Sequence, residues 1–124
     1  MKFLIIFFLF ITIDNLFSQT GWVYLGKEIG YDLYYKENTI VRGNNPFVVV
    51  VGVPLKEMKD NNNSVIKYVS VNITFYQSST GLRCLISNHL YFYEDNTYKK
   101  APLPNRDIPI TYYNLLSKLY DAIR

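Results

Sequence analysis

Two periodicities divide the chain. From Val65 to Phe75 apolar and polar positions alternate: Val65, Val69, Val71, Ile73 and Phe75 share one parity, and Ser70, Asn72 and Thr74 hold the other. That is the pattern of a long strand with one face on a core. A turn over Gln77–Gly81 follows, and then Leu82, Cys84, Ile86, Leu90 and Phe92 share a face. Arg83, Ser87, His89, Tyr91 and Tyr93 fall on the opposite, solvent-facing side, with Asn88 as a polar break that marks a bulge or bend. Near the end the period changes. Tyr112, Leu115, Leu116, Leu119 and Ile123 recur at helical spacing, which predicts an amphipathic helix with Thr111 as its N-cap.

The remaining pattern is short and β-rich. Trp22–Leu25 is a first strand, and Leu33–Tyr35 and Thr39–Val41 are two strand pieces around a tight turn at Lys36–Asn38. Gly43, Asn44 and Asn45 form a turn before Phe47–Val53, a run apolar at both parities and so expected to be covered on both faces. Pro54 ends it, and Lys56–Asn63 is a polar loop. Glu94–Pro109 is polar, and Pro102, Pro104 and Pro109 predict irregular structure there. Strands followed by a packing helix give an α+β domain: an antiparallel β-sheet of about five to six strands with a C-terminal amphipathic helix packed on it.

The first residues follow a different pattern. Lys2 precedes Phe3–Ile13, apolar apart from Thr12 and shorter than the roughly 20 residues a membrane span needs. Asp14 and Asn15 end the run, and Ser18 offers a small residue before Gln19. This predicts a cleavable secretory signal over residues 1–18, against the alternative of an uncleaved N-terminal anchor. The product is then a single domain over 19–124, exported to the periplasm, the cell surface or the medium. No Cys stands at the cut, so no lipid anchor is expected.

Removing 18 of 124 residues leaves 106, enough for one domain with one core. The 13 basic and 10 acidic residues leave a surplus of +3, scattered along the chain, which argues against nucleic acid as a partner. Twelve Tyr against one Trp fits many half-buried strand positions, and secondarily a surface suited to protein contact. A single cysteine, Cys84, precludes a disulfide within the chain. Stability must come from packing, from an oligomer, or from a bridge to another chain.

Catalytic chemistry finds little support. Cys84 and His89 are five apart on one predicted strand, an odd spacing that sends them to opposite faces; a bulge at Asn88 could undo the parity but would leave them about 13–17 Å apart. Cys84 is expected to be a small buried hydrophobe and His89 a solvated strand residue. One His and one Cys make no metal site without several carboxylates. The close acidic pairs, Asp32 with Glu37 and Glu94 with Asp95, would need a cleft to act as a glycosidase pair. The six Gly are dispersed and form no phosphate loop. Lys99–Lys100 is expected to be a solvated loop.

A distributed signal remains. Trp22 is followed by Tyr34–Tyr35–Lys36–Glu37–Asn38–Thr39–Ile40, a turn at Gly43 and the Val48–Val51 strand. Arg83–Cys84–Leu85 then precedes Tyr91–Phe92–Tyr93–Glu94, and a closing helix carries Tyr113–Asn114 and Leu115–Leu116. This order resembles the surface-adhesin protein E family of small exported bacterial proteins over nearly all of the chain after the signal. The resemblance implies an antiparallel sheet with a helix against it, no cofactor, and, for the family's namesake, adhesion to host matrix and serum proteins. Two departures stand out. Lys36 occupies a position that is usually acidic in the family, and the cysteine that commonly pairs from the terminal helix has no counterpart, since the helix offers residues such as Leu119 and Tyr120. Leu116, Leu119 and Tyr120 must then hold helix to sheet by apolar contact.

The leading expectation is a non-enzymatic exported binding module that uses sheet aromatics and an edge strand to contact a host matrix or envelope protein. His89, Tyr91 and Tyr93 are its candidate binding residues, with ordinary strand filler as their alternative role. A structural subunit of an envelope assembly, including a homodimer, is the second reading. A small hydrolase using Cys84 or an acidic pair is the third.

Overall fold

A computed structural model describes residues 21–124, and the predicted signal over 1–18 lies outside the described residues. Among the described residues, seven antiparallel strands and one α-helix follow in order: β1 (Trp22–Glu28), β2 (Tyr31–Lys36), β3 (Phe47–Pro54), β4 (Ile66–Ser78), β5 (Gly81–Tyr93), β6 (Tyr98–Lys100), β7 (Arg106–Pro109) and α1 (Asn114–Ile123). The sheet runs β1-β2-β3-β4-β5-β6 in chain order, and β7 also pairs with β5. The architecture is α+β and mostly β, as the periodicities predict.

Strand β5 can hold two outer neighbours because it is kinked between them. Its first half pairs Arg83–Ile86 with β7, and its second half pairs Leu90–Phe92 with β6. In between, Ser70 faces Leu90 while Asn72 faces Ser87, so Asn88 and His89 together oppose Val71 alone. Asn88 takes φ 53°, a left-handed conformation that Asn tolerates better than most residues. The bulge expected at Asn88 is therefore present. A bulge shifts side-chain parity by one, however, and every residue beyond it changes face. A second bulge at Lys67, between the Ile66–Tyr93 and Tyr68–Phe92 pairs, does the same at the start of β4 and buries Ile66 in place of Val65.

Three other expectations need correction. Glu94–Pro109 is not wholly irregular: Tyr98–Lys100 and Arg106–Pro109 complete the sheet on either side of Pro102 and Pro104. The Thr39–Val41 strand piece is a 3-10 turn over Glu37–Thr39 and one bridge from Val41 to Phe47. There the Thr39 hydroxyl donates to the Lys36 carbonyl at 2.6 Å and accepts from the Val49 N–H at 3.0 Å, which closes the turn against β3. Finally, α1 starts at Asn114 rather than beside Thr111, and its N-cap, Tyr113, makes no side-chain cap bond. The Leu115 N–H instead donates to Glu28 Oε1 at 3.1 Å, so a carboxylate from the end of β1 serves the helix start. A negative charge there meets free N–H groups and the positive end of the helix dipole.

One face of the sheet carries α1. Leu116, Leu119 and Ile123 enter a core with Leu25, Val48, Ile73, Phe75 and Cys84. The Tyr120 ring meets Phe75 edge-on at 5.2 Å between centroids. Apolar contact thus joins helix to sheet, in the manner expected of a helix without a cysteine. Close approach is possible where α1 crosses β1 because Gly26, at φ 147° beside a bulge, has no Cβ; one placed there would lie 3.1 Å from the Leu115 side chain. A second, smaller core of Ile66, Tyr91, Tyr93 and Ala101 lies beyond the bulge, with Met58 and Val69 packed on it.

Candidate binding surface

The opposite face of the sheet carries no helix, and the bulges decide what it displays. Tyr68 pairs with Phe92, and Phe92 with Tyr98, across β4, β5 and β6. Their rings stack in a row, with centroids 4.6 Å apart between Tyr68 and Phe92 and 5.3 Å between Phe92 and Tyr98. Tyr98 is 63% exposed. Toward the other edge, Tyr24 and Tyr34 pair across β1 and β2 with centroids 5.2 Å apart, and Tyr24 is 48% exposed. Cross-strand aromatic pairs of this kind stabilise a sheet by roughly 0.2–1 kcal/mol each. They also hold the rings in fixed orientations.

Polar groups flank these rings. The Tyr24 hydroxyl and the Lys27 ammonium both donate to Asp32 Oδ1, at 2.9 and 2.8 Å. These contacts lower the Asp32 pKa and raise those of Tyr24 and Lys27. Near β7, Tyr76 and Arg83 both donate to Asp107, which lowers the Asp107 pKa. The edge strands carry Lys27 on β1, Lys99 and Lys100 on β6 and Pro109 on β7, so Lys99–Lys100 belongs to a strand rather than a loop. Lysines and a bulge on an edge discourage pairing with a further strand.

The residues expected to form the binding face lie elsewhere. Tyr91 and Tyr93 are each only 9% exposed and sit on the helix side, because Tyr91 pairs with Val69 and Tyr93 with Ile66. The parity shift at Asn88–His89 moves them inward and moves Phe92 outward. Tyr93 donates its hydroxyl to Asp60 Oδ2 at 2.6 Å, tying β5 to the loop after β3 and pushing the Tyr93 pKa up to about 12. His89 is turned to the helix side as well. Its Nδ1 is buried without a hydrogen-bond partner among the described residues, and burial followed by nearby Arg106 lowers its pKa. The three residues thus form no common exposed face, and the solvated position expected for His89 is not found. Tyr68 shares the outward parity of Ser70, Asn72 and Thr74, but Phe92 and Tyr98 were hidden from the sequence pattern, although carrying the Asn88 bulge through the residue count would have exposed Phe92.

Cys84 is fully buried, and burial raises its thiol to about 11. A thiol at that value is almost wholly protonated near neutrality and is a poor nucleophile. The bulge does bring His89 to the same side of the sheet as Cys84, contrary to the odd-spacing argument. Among the described residues no hydrogen bond joins the two, and no group of three or more His, Cys, Asp or Glu could hold a metal ion.

No protein-family model matches the sequence, and no curated protein matches it. Solved structures do. A crystal form of Haemophilus influenzae protein E aligns with a TM-score of 0.62 at 11% identity, covering 84% of this chain and 87% of that one. Protein E from non-typeable Haemophilus influenzae aligns with a TM-score of 0.52 at 9% identity, covering 73% of this chain and 65% of that one. Identity this low carries no residue role across, but the order of strands and the closing helix agree with the resemblance in the sequence. The chain has the protein E fold.

Proposed function

We propose that this chain is an exported, non-enzymatic, adhesin-like protein-binding domain whose partner lies across the helix-free face of the sheet. The observation that carries this reading is the stacked row of Tyr68, Phe92 and Tyr98, open to solvent at Tyr98. Aromatic rings are enriched among the residues that dominate interface energies. Rings already held by their neighbours lose little further freedom when a partner covers them. The lysines on β1 and β6 and Pro109 on β7 favour a partner that lands on the face over one that adds a strand. The buried, protonated Cys84 thiol argues against the small-hydrolase alternative.

Export is supported by the apolar run Phe3–Ile13 with its polar stop at Asp14 and Asn15. Among the described residues, no helix is long and apolar enough to cross a membrane. Likeness in fold to protein E agrees with a binding role at or beyond the cell envelope. The partner class is a host matrix or envelope protein.

Tyr98→Ala tests the reading. The ring is mostly exposed, so the change should cost less than about 1 kcal/mol of stability. Binding of the partner identified by cross-linking capture on intact cells, measured by surface plasmon resonance against wild type, should weaken about tenfold or more. Unchanged affinity would remove the aromatic row from the interface. Capture of nothing but this same chain would favour self-assembly instead.

A further inference from the structure

Beneath α1, on the side away from the aromatic row, lies a cavity of about 300 Å³. That is the lower end of the range small-molecule sites occupy, and far beyond the voids that close packing leaves. Its walls are mainly aliphatic, with Val69, Val71, Ile73 and Ile86 from the sheet and Leu115 and Leu116 from the helix.

The few polar side chains along it are mostly committed. Glu28 accepts the Leu115 N–H, and Tyr31 donates to Met58 Sδ at 3.4 Å. The Tyr113 hydroxyl accepts from Arg106 at 2.7 Å. Two groups are not matched in this way. His89 Nδ1 is buried without a partner among the described residues. Arg106 lies over Tyr112 and Tyr113, at 5.0 and 5.7 Å from their centroids, and among the described residues it has no carboxylate partner. A guanidinium carries five N–H donors, and the contacts with Tyr113 and Tyr112 use at most two.

Two exposed apolar residues also border the cavity, Ile29 at 62% and Leu103 at 46% exposure. Ile29 occupies a two-residue turn with Gly30 and takes φ 49°. A β-branched residue is strained there, where Asn-Gly is the usual pair. An exposed side chain gains too little within the fold to explain that strain. Contact with a bound apolar molecule would explain it.

We propose that this cavity binds a straight-chain carboxylic acid, its alkyl chain between α1 and strands β4 and β5 and its carboxylate on Arg106 and His89. The guanidinium supplies the charge and a directed N–H pair, and a neutral His89 ring, turned to bring a protonated Nδ1 out to the cavity, supplies one more donor. Ile29 and Leu103 shield the chain where it emerges. The site lies on the opposite face from the aromatic row, so either can fail alone.

Isothermal titration calorimetry of the purified protein with dodecanoate below its micellar concentration, and dodecanol as the uncharged control, tests this. Saturable one-to-one uptake is expected, with dodecanoate bound more tightly than dodecanol. His89→Leu removes an unpaired polar atom from an apolar wall, so it should keep or raise Tm while weakening dodecanoate about tenfold and sparing dodecanol. Ile86→Phe, which fills the cavity, should weaken both. Absence of saturable uptake, equal affinity for the two probes, or unchanged affinity in a folded Ile86→Phe variant would overturn the proposal. So would a dimer that excludes both probes, which would assign the cavity to a second copy.

Discussion

Cys84 shows how far environment outweighs residue type. Its thiol is pushed up to about 11, first by burial and then by Asp107, with Arg83 and Arg106 opposing. Labelling by a thiol reagent at neutral pH should therefore proceed only as fast as the domain opens, and denaturant should accelerate it in step with loss of structure. Rapid labelling of the folded protein would restore the case for a reactive thiol. Ile29 makes the opposite point. Its left-handed backbone costs roughly 1–2 kcal/mol, so Ile29→Asn should stabilise the protein by about 1 kcal/mol in urea unfolding. An unchanged midpoint would show that the turn carries no strain.

Among the elements, α1 depends on contacts that are remote in sequence. Glu28→Gln should weaken the charged cap by roughly 0.5–2 kcal/mol and speed amide exchange most in the first turn of the helix. Exchange of Leu119 and Tyr120 as fast as in a loop in the wild type would contradict the apolar docking of α1. The helical stripe Leu115–Leu116–Leu119–Ile123 and the β4 alternation were legible because both faces of those elements differ in burial. The bulge was legible in Asn88 itself. Its effect on Tyr91, Phe92 and Tyr93 requires knowing that Asn88 and His89 jointly oppose one residue, which only pairing reveals. Strand β6 left no trace, since Tyr98, Lys99 and Lys100 are all exposed and so do not alternate. The Glu28 cap lies 87 residues from its helix, beyond any local pattern.

Taken whole, the molecule is a sheet whose two faces have different chemistry, held at its periphery by carboxylates. Asp60 bonds Tyr93, Asp107 bonds Tyr76 and Arg83, and Asp32 bonds Lys27 and Tyr24; in each case these partners lower the carboxyl pKa. A group depressed in the folded state stabilises it above the ordinary carboxylate value and loses that effect as pH falls through the lowered pKa. Stability should thus be level near neutrality with respect to these groups and fall below about pH 4. At the alkaline end the raised Tyr93 works in reverse: its contribution is intact below about pH 10 and is lost as pH rises toward its folded value of about 12. Chemical denaturation across pH would show both shoulders, and Asp60→Asn should diminish each. The central claim, that recognition belongs to the helix-free face, is tested most directly by a photoreactive amino acid placed on intact cells at Tyr98 or, on the exposed side of α1, at Ala122. A partner adduct is expected from position 98 and none from position 122; adducts from 122 alone, or equally from both, would place recognition on another face.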